Sequence, residues 1–162
     1  MASKTMPSSL EGKKAPSITL LDDQGEKFSL KDYTQSYVLV YFYPKDDTPG
    51  CTKQACAMRD NSKLIKKARL KVIGISPDGV EKHQKFKSKY DLNFTLLCDT
   101  DHKVAERYGV WVEKNMYGRK YMGVQRDSFL IDPDGKIIKH YKKVKPESHI
   151  DDVLNDLKDL GG

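Results

Sequence analysis

The sequence predicts a single α/β domain, residues 1–162, with a mixed central sheet flanked by helices. Three observations support this fold class. Two apolar runs, 37–43 and 70–75, have the composition of strands buried on both faces. Each run precedes a helical pattern, as in a parallel strand–helix–strand unit. A turn signal, Pro133-Asp-Gly, then separates two further apolar segments and predicts a C-terminal hairpin. A chain of this length can bury one core.

The N-terminal third begins with a segment, 1–11, that is expected to be a flexible tail. Residues 18–29 predict a β-hairpin that turns near Gly25, followed by a short connection over 30–33. Strand 37–43 comes next and ends at Pro44, because proline cannot donate a hydrogen bond to a sheet ladder.

A helix is predicted directly after this strand, over about 52–68. Thr48 is a suitable N-cap, and Pro49 stands where the first turn of a helix accepts proline. Cys51 is therefore expected in the first turn of a helix that begins at the carboxyl end of a buried strand. Ligands of open α/β sheets bind at that end.

The other predicted elements complete the fold class. In chain order they are strand 70–75, helix 80–90, strand 94–98, helix 103–108, an irregular loop near the site over 112–124, strands 125–132 and 136–141, and helix 147–160. Strand–helix–strand followed by a hairpin and a helix is the thioredoxin-like arrangement.

The position of Cys51 has a chemical consequence. The reactive form of a thiol is the thiolate, and the positive end of a helix dipole stabilises an anion. Full ionisation gains only about 30-fold, or ~2 kcal/mol, over the few per cent of thiolate present at neutral pH. A fast thiol enzyme must therefore also polarise its electrophile. The Thr48 hydroxyl is one candidate donor, and an arginine from elsewhere is the second.

The pattern Pro44-x-x-x-Thr48-x-x-Cys51 resembles the active-site motif of peroxiredoxins. The longer segment 43–56 is similar to the bacterioferritin comigratory protein branch, the Q type, whose second cysteine matches Cys56 here. The resemblance implies a thioredoxin-like fold, Cys51 as the peroxidatic cysteine and Cys56 as the resolving one. It also implies that Pro44 shields the thiolate and that Thr48 binds the peroxide.

Arg126 is the expected arginine, because relatives carry theirs in a matching Arg-x-Ser/Thr-Phe-Leu-Ile-Asp context. Its guanidinium would stabilise both the thiolate and the peroxide oxygens. Arg59 and Arg119 are competing candidates with less support. Gln54, one turn after Cys51, is either a residue that orients the site or a solvated helix position.

The resemblance implies a cycle that needs no cofactor and no metal. Cys51 reduces a hydroperoxide and becomes a sulfenic acid, Cys56 closes an intramolecular disulfide, and a thioredoxin-like dithiol partner reduces it. On an intact helix the two Cα atoms would be about 8.6 Å apart, whereas a disulfide needs about 4.4–6.8 Å. The helix is therefore expected to unwind locally during oxidation. Many relatives are monomeric, so a monomer is expected.

Composition narrows the remaining possibilities. The net charge of +6 comes from basic residues spread along predicted helix faces, which favours a solvated surface over nucleic-acid binding. No apolar run is long enough for a bilayer, and the N-terminus lacks a secretory apolar region, so cytoplasmic location is expected. Three cysteines do not make a disulfide scaffold.

The remaining chemistry-bearing side chains are expected to be structural. The four histidines show no metal-binding spacing and are predicted to lie on the surface; they are His83, His102, His140 and His149. Cys98 is expected to pack as a small apolar group at a strand end, with an alternative resolving role kept open.

Two other function classes stay open. A thioredoxin-like disulfide reductase is disfavoured, because it would have Cys-x-x-Cys and this chain has four residues between Cys51 and Cys56. A non-enzymatic binding or holdase protein on the same fold would instead keep its activity in a Cys51→Ser variant.

Overall fold

The computed structural model describes residues 10–33 and 35–160. Its strands are β1 (Thr19–Asp22), β2 (Lys27–Ser29), β3 (Tyr37–Phe42), β4 (Leu70–Ser76), β5 (Thr95–Cys98), β6 (Trp111–Met116), β7 (Arg119–Val124), β8 (Ser128–Ile131) and β9 (Ile137–Tyr141). Its helices are α1 (Pro49–Asp60), α2 (Ser62–Lys67), α3 (Val80–Tyr90), α4 (Lys103–Arg107) and α5 (His149–Asp159), and Leu30–Tyr33 forms a 3₁₀ turn.

A seven-stranded sheet lies at the centre, in the order β2-β1-β5-β4-β3-β8-β9. β3, β4 and β5 are parallel neighbours, and the other pairings in this sheet are antiparallel. The expected mixed sheet with flanking helices, an N-terminal hairpin and a C-terminal hairpin is therefore confirmed.

The central strand β3 is apolar along its whole length because it is covered on both faces. Successive side chains of a strand point to opposite faces of the sheet. Val38, Val40 and Phe42 point to one face and pack in a core that includes residues of β8. Leu39, Tyr41 and Tyr43 point to the other face and pack in a core with residues of α1 and α5. This continuous burial anchors the strand end that leads to the predicted site.

The helix predicted over 52–68 is two helices, α1 and α2, so that part of the prediction is wrong. The break falls at Asn61, whose φ of −101° and ψ of 19° leave the helical region. Its side-chain Nδ2 donates to the Ala57 carbonyl at 2.8 Å. Asparagine side chains compete in this way for the backbone groups that an uninterrupted helix needs. α1 also begins earlier than predicted, at Pro49.

The predicted irregular loop over 112–124 is also wrong, because this segment forms the antiparallel hairpin β6–β7. Tyr117 and Gly118 connect the strands, and both have positive φ, 54° and 80°. Positive φ at both central residues defines the tight type I′ hairpin turn, which accepts glycine readily. The hairpin forms a separate two-stranded sheet.

Within the predicted tail, the residues from Leu10 onward contact the rest of the fold. Leu10 packs partly buried against the core, and the Gly12 amide donates to the Ile137 carbonyl at 2.7 Å. The rest of the predicted tail, 1–9, lies outside the described residues. Among the helices of the described chain, none has the length and apolar content to cross a bilayer.

Candidate active site

The segment from β3 to α1 carries Pro44, Thr48 and Cys51. Thr48 is the N-cap residue, Pro49 is the first helical residue and Cys51 lies in the first turn. Cys51 is 2% exposed and packs in the core between α1 and the sheet. By helix geometry, the first-turn N–H groups have no intrahelical acceptor and can stabilise an anion at the helix N-terminus.

Thr48 takes the N-cap position without the expected side-chain cap bond. Its hydroxyl instead donates to the Lys45 carbonyl at 3.0 Å. Because its proton is used in this way, the lone pairs of Oγ1 are oriented as acceptors. Thr48 can therefore accept a hydrogen bond from a hydroxyl-bearing ligand, whereas the sequence predicted it as a donor.

A buried contact between His83 and Asp46 anchors the middle of the loop 43–48, which connects β3 to α1. His83 Nδ1 lies 2.6 Å from Asp46 Oδ2, and His83 Nε2 lies 2.8 Å from the Leu97 carbonyl, which can only accept. Tyr43 donates its hydroxyl to the other Asp46 oxygen at 2.6 Å. Burial alone would lower the pKa of His83, but the hydrogen bond and charge of Asp46 outweigh it and raise that pKa. Both ring nitrogens of His83 therefore face acceptors in the interior, and the predicted surface position for it is wrong.

The same loop is tied to its surroundings at two more points. The Asp46 amide donates to Asp78 Oδ2 at 2.7 Å. Asp47, with a φ of 59°, accepts from Lys89 Nζ at 2.9 Å and from the Tyr90 hydroxyl at 2.8 Å. These bonds connect the loop to α3 and to the turn before it, so Pro44 and Thr48 are held in place before any ligand arrives.

Arg126 reaches the N-terminus of α1 from the segment between β7 and β8. A Cβ atom placed on Gly50 would lie 3.1 Å from Arg126 Nη2, so the guanidinium packs directly on the residue before Cys51. Arg126 Nη1 also donates to Gln54 Oε1 at 2.8 Å. The absence of a side chain at Gly50 is what permits this close approach.

The two competing arginines lie elsewhere. Arg59, near the end of α1, bonds to Asp60 at 2.9 Å and to the Tyr90 carbonyl at 2.6 Å. Arg119 begins β7 and is exposed. Among the three candidates, Arg126 is therefore the one that packs against Gly50, the residue before Cys51.

Gln54 is fully buried, so the solvated alternative for it is wrong. Its Nε2 lies 3.1 Å from His149 Nδ1, and His149 Nε2 lies 2.6 Å from Ser128 Oγ. Burial, and then the charge of Arg126, lowers the pKa of His149 to about 4. His149 was also predicted on the surface, which is wrong. The His140 side chain, 1% exposed and bonded to Asp127 at 2.8 Å, is a further correction.

Lys114 is a second cation near the site that the sequence did not single out. It lies on β6, and its Cδ would be 3.3 Å from a Cβ atom on Gly123, so its stem lies along the open backbone of β7. Burial and the charge of Arg126 lower the pKa of Lys114, while the charge of Cys51 raises it. Lys114 is thus coupled electrostatically to both Arg126 and Cys51.

The other two cysteines differ in environment. Cys56 lies in the second turn of α1 and is partly exposed, and all three cysteines are free thiols. Cys98 ends β5, lies 3.9 Å from the Asp22 carbonyl and is buried, which raises its pKa to about 11. A thiol with so high a pKa is a poor nucleophile at neutral pH.

A thiol at the start of a helix, on a mixed thioredoxin-like sheet and beside an arginine, defines the class of thiol-dependent oxidoreductases. Comparison with known proteins narrows the class. The AhpC/TSA family model matches residues 11–140. The chain belongs to the AhpC/TSA family and is an enzyme of the peroxiredoxin class, the thiol peroxidases.

Individual relatives support this assignment. The chain is 48% identical to Peroxiredoxin Bcp of Bacillus subtilis, over 92% of this chain and 95% of the relative. It is 52% identical to Peroxiredoxin Bcp of Escherichia coli, over 90% and 93%. A solved structure of the Xanthomonas campestris bacterioferritin comigratory protein, described for its alkyl peroxide reduction activity, matches with a TM-score of 0.84 at 34% identity, covering 90% of this chain and 92% of that one. The predicted family and thioredoxin-like fold are therefore confirmed.

Proposed function

We propose that this peroxiredoxin reduces hydrogen peroxide and organic hydroperoxides through Cys51, and that a thioredoxin-like dithiol protein restores it. The observation that carries the proposal is the packing of Arg126 against Gly50, which brings a guanidinium to the helix turn that holds the Cys51 thiol. Because Cys51 is 2% exposed, the reacting end of the substrate must be small. The terminal oxygen of a hydroperoxide meets that requirement.

In the first step the Cys51 thiolate attacks the terminal oxygen of the hydroperoxide. An S–O bond forms, the O–O bond breaks, and the leaving oxygen takes a proton to give water or an alcohol, which leaves Cys51 as a sulfenic acid. Arg126 donates to the peroxide oxygens as charge develops there, and Thr48 Oγ1 accepts the hydroperoxide O–H. Pro44, partly buried beside the loop, excludes water from the thiolate.

In the second step Cys56 attacks the Cys51 sulfur, forming the S–S bond and releasing water. Both residues lie in the continuous helix α1, where an i, i+5 pair is about 8.6 Å apart at Cα, so α1 must unwind first. In the third step a thiolate of the dithiol partner attacks the disulfide and exchange returns both cysteines to thiols. This cycle needs a reducing compartment such as the cytoplasm, and a monomer contains every residue that it uses.

The test is hydroperoxide consumption coupled to a thioredoxin system, with wild type, Cys51→Ser, Cys56→Ser and Arg126→Lys. We expect turnover to vanish in Cys51→Ser and in Cys56→Ser. Arg126→Lys keeps the charge but loses the planar fork, so the rate constant with peroxide should fall at least tenfold. Full turnover by Cys51→Ser would refute the proposal. Turnover by Cys56→Ser would show that another thiol resolves the sulfenic acid.

A further inference from the structure

We propose that His149, on the last helix, is a positioning residue for peroxide reduction: through Gln54 it fixes where Arg126 presents its guanidinium to Cys51. This inference rests on the proposed function and adds a residue that does not touch the substrate. It is carried by a chain of three hydrogen bonds, two buried and one partly buried, that runs from Arg126 to Ser128.

The chemistry of the end groups sets the direction of every bond in this chain. A guanidinium only donates, so the Gln54 atom that faces Arg126 must be the oxygen. The Gln54 amide nitrogen then faces His149 and donates to Nδ1, which must be unprotonated. The imidazole proton is therefore on Nε2, and it is donated to Ser128 Oγ. If Nδ1 were protonated, it and Gln54 Nε2 would both be donors, and the hydrogen bond between Gln54 and His149 would be lost.

The surroundings of the ring favour this single arrangement. Gln54, His149 and Ser128 are each at most 1% exposed, so water cannot replace a lost partner without rearrangement. Two tyrosine rings flank the imidazole in tilted, edge-type arrangements, with centroid distances of 6.3 Å for Tyr41 and 6.0 Å for Tyr141. The Tyr141 hydroxyl is occupied by Asp156 at 2.6 Å, and Arg126 is the charged group that acts on the ring. His149 is neutral at pH 7, as an acceptor at Nδ1 requires.

The position of Gln54 links this chain to the redox cycle. Gln54 lies between Cys51 and Cys56 in α1, so the unwinding that allows the disulfide must withdraw it from Arg126 and His149 together. The bonds of Gln54 therefore hold α1 in the helical form that reacts with peroxide and oppose the form that closes the disulfide. Weakening them at His149 should slow the first step and accelerate the second. A residue that only stabilised the fold would not move the two rates in opposite directions.

The experiment measures both rate constants by quenched-flow trapping of thiols and sulfenic acid, read by mass spectrometry. In His149→Phe, which cannot accept from Gln54, sulfenic acid formation should be about fivefold slower or more, since one hydrogen bond is worth ~1 kcal/mol. Disulfide closure should be faster than in wild type. His149→Gln offers an acceptor again and should recover most of the peroxide rate. Ile150→Val loosens the same helix without touching Gln54, and should leave both rates within about twofold of wild type.

Equal peroxide rates in wild type and His149→Phe would overturn the inference, and so would a parallel slowing of both steps in His149→Phe and Ile150→Val. If His149→Phe does not fold, ¹⁵N NMR of wild type decides. The Nε2–H tautomer between pH 5 and 8 supports the inference, and the Nδ1–H tautomer refutes it. Failure of the proposed function would look different, because wild type itself would then form no sulfenic acid at Cys51.

Discussion

Acidification should destabilise this protein through His149. An unfolded histidine has a pKa of ~6.5, whereas burial and Arg126 lower the pKa of His149 to about 4. Between these values the unfolded chain binds a proton that the folded protein does not bind. The free energy of unfolding therefore falls as the pH falls from about 6.5 toward 4. At ~1.36 kcal/mol for each pKa unit, a difference of about 2.5 units gives a total of about 3.4 kcal/mol, of which about 2 kcal/mol is lost by pH 5.

The assay compares wild type with His149→Gln by urea unfolding at a series of pH values from 7.5 to 5. The variant cannot take up this proton, so wild type should lose about 2 kcal/mol more than the variant over that range. In thermal scans this corresponds to an additional fall in Tm of about 4–8 °C. His83 and every carboxylate are present in both proteins and cancel in the difference. Identical pH dependence in the two proteins would refute the neutral, buried imidazole and with it the direction of the Gln54 bonds.

Four further predictions follow from the structure. Gly50→Ala should slow the reaction with peroxide several-fold by displacing Arg126 by a few tenths of an ångström, while raising stability by up to about 1 kcal/mol through helix propensity. The pKa of His83 is higher in the folded protein than in the unfolded chain, so this group stabilises the fold at low pH. That stabilisation is lost as the pH rises through the pKa of folded His83, and His83→Gln should abolish this loss. Tyr41→Phe should leave stability unchanged or raise it by about 1 kcal/mol, since this buried hydroxyl has no partner in the described part of the chain. Oxidation should accelerate amide exchange in the first two turns of α1 but not in α3.

Stopped-flow kinetics, urea titrations and hydrogen exchange check these four, and each has a contrary result. A Gly50→Ala variant that reacts at the wild-type rate would mean that Arg126 need not touch the helix. A His83→Gln variant with the alkaline profile of wild type would contradict the raised pKa of that imidazole. A destabilised Tyr41→Phe variant would reveal a partner for the hydroxyl, and unchanged exchange in α1 would rule out unwinding.

Much of the fold was predictable because long buried segments are apolar in sequence. β3 is covered on both faces, and a strand in that environment is apolar at every position. The break at Asn61 and the hairpin β6–β7 were missed for the opposite reason. Both depend on one or two residues: the Asn61 side chain, which competes for a backbone carbonyl, and the Tyr117–Gly118 turn.

The candidate site likewise contains residues that the sequence predicted and residues that it did not. Pro44, Thr48 and Cys51 are close in sequence, so one motif predicts all three as site residues, and Arg126 was predicted from the context of the resemblance. His149 was missed because histidine alone carries no burial signal. Its spacing with Val153 and Leu157 places it on the apolar stripe of α5, and that stripe was the available clue. The long-range contacts to Gln54 and Ser128 depend on tertiary packing.

The most direct test of the whole account is to locate the oxidation that one equivalent of an alkyl hydroperoxide causes in reduced Cys56→Ser protein. Dimedone trapping and peptide mass spectrometry identify the modified sulfur. The account predicts a sulfenic acid on Cys51 and reduced thiol at Cys98, because one thiol lies at a helix start beside Arg126 and burial raises the pKa of the other to about 11. Oxidation first at Cys98, or an unreacted Cys51 after the peroxide has been consumed, would contradict it.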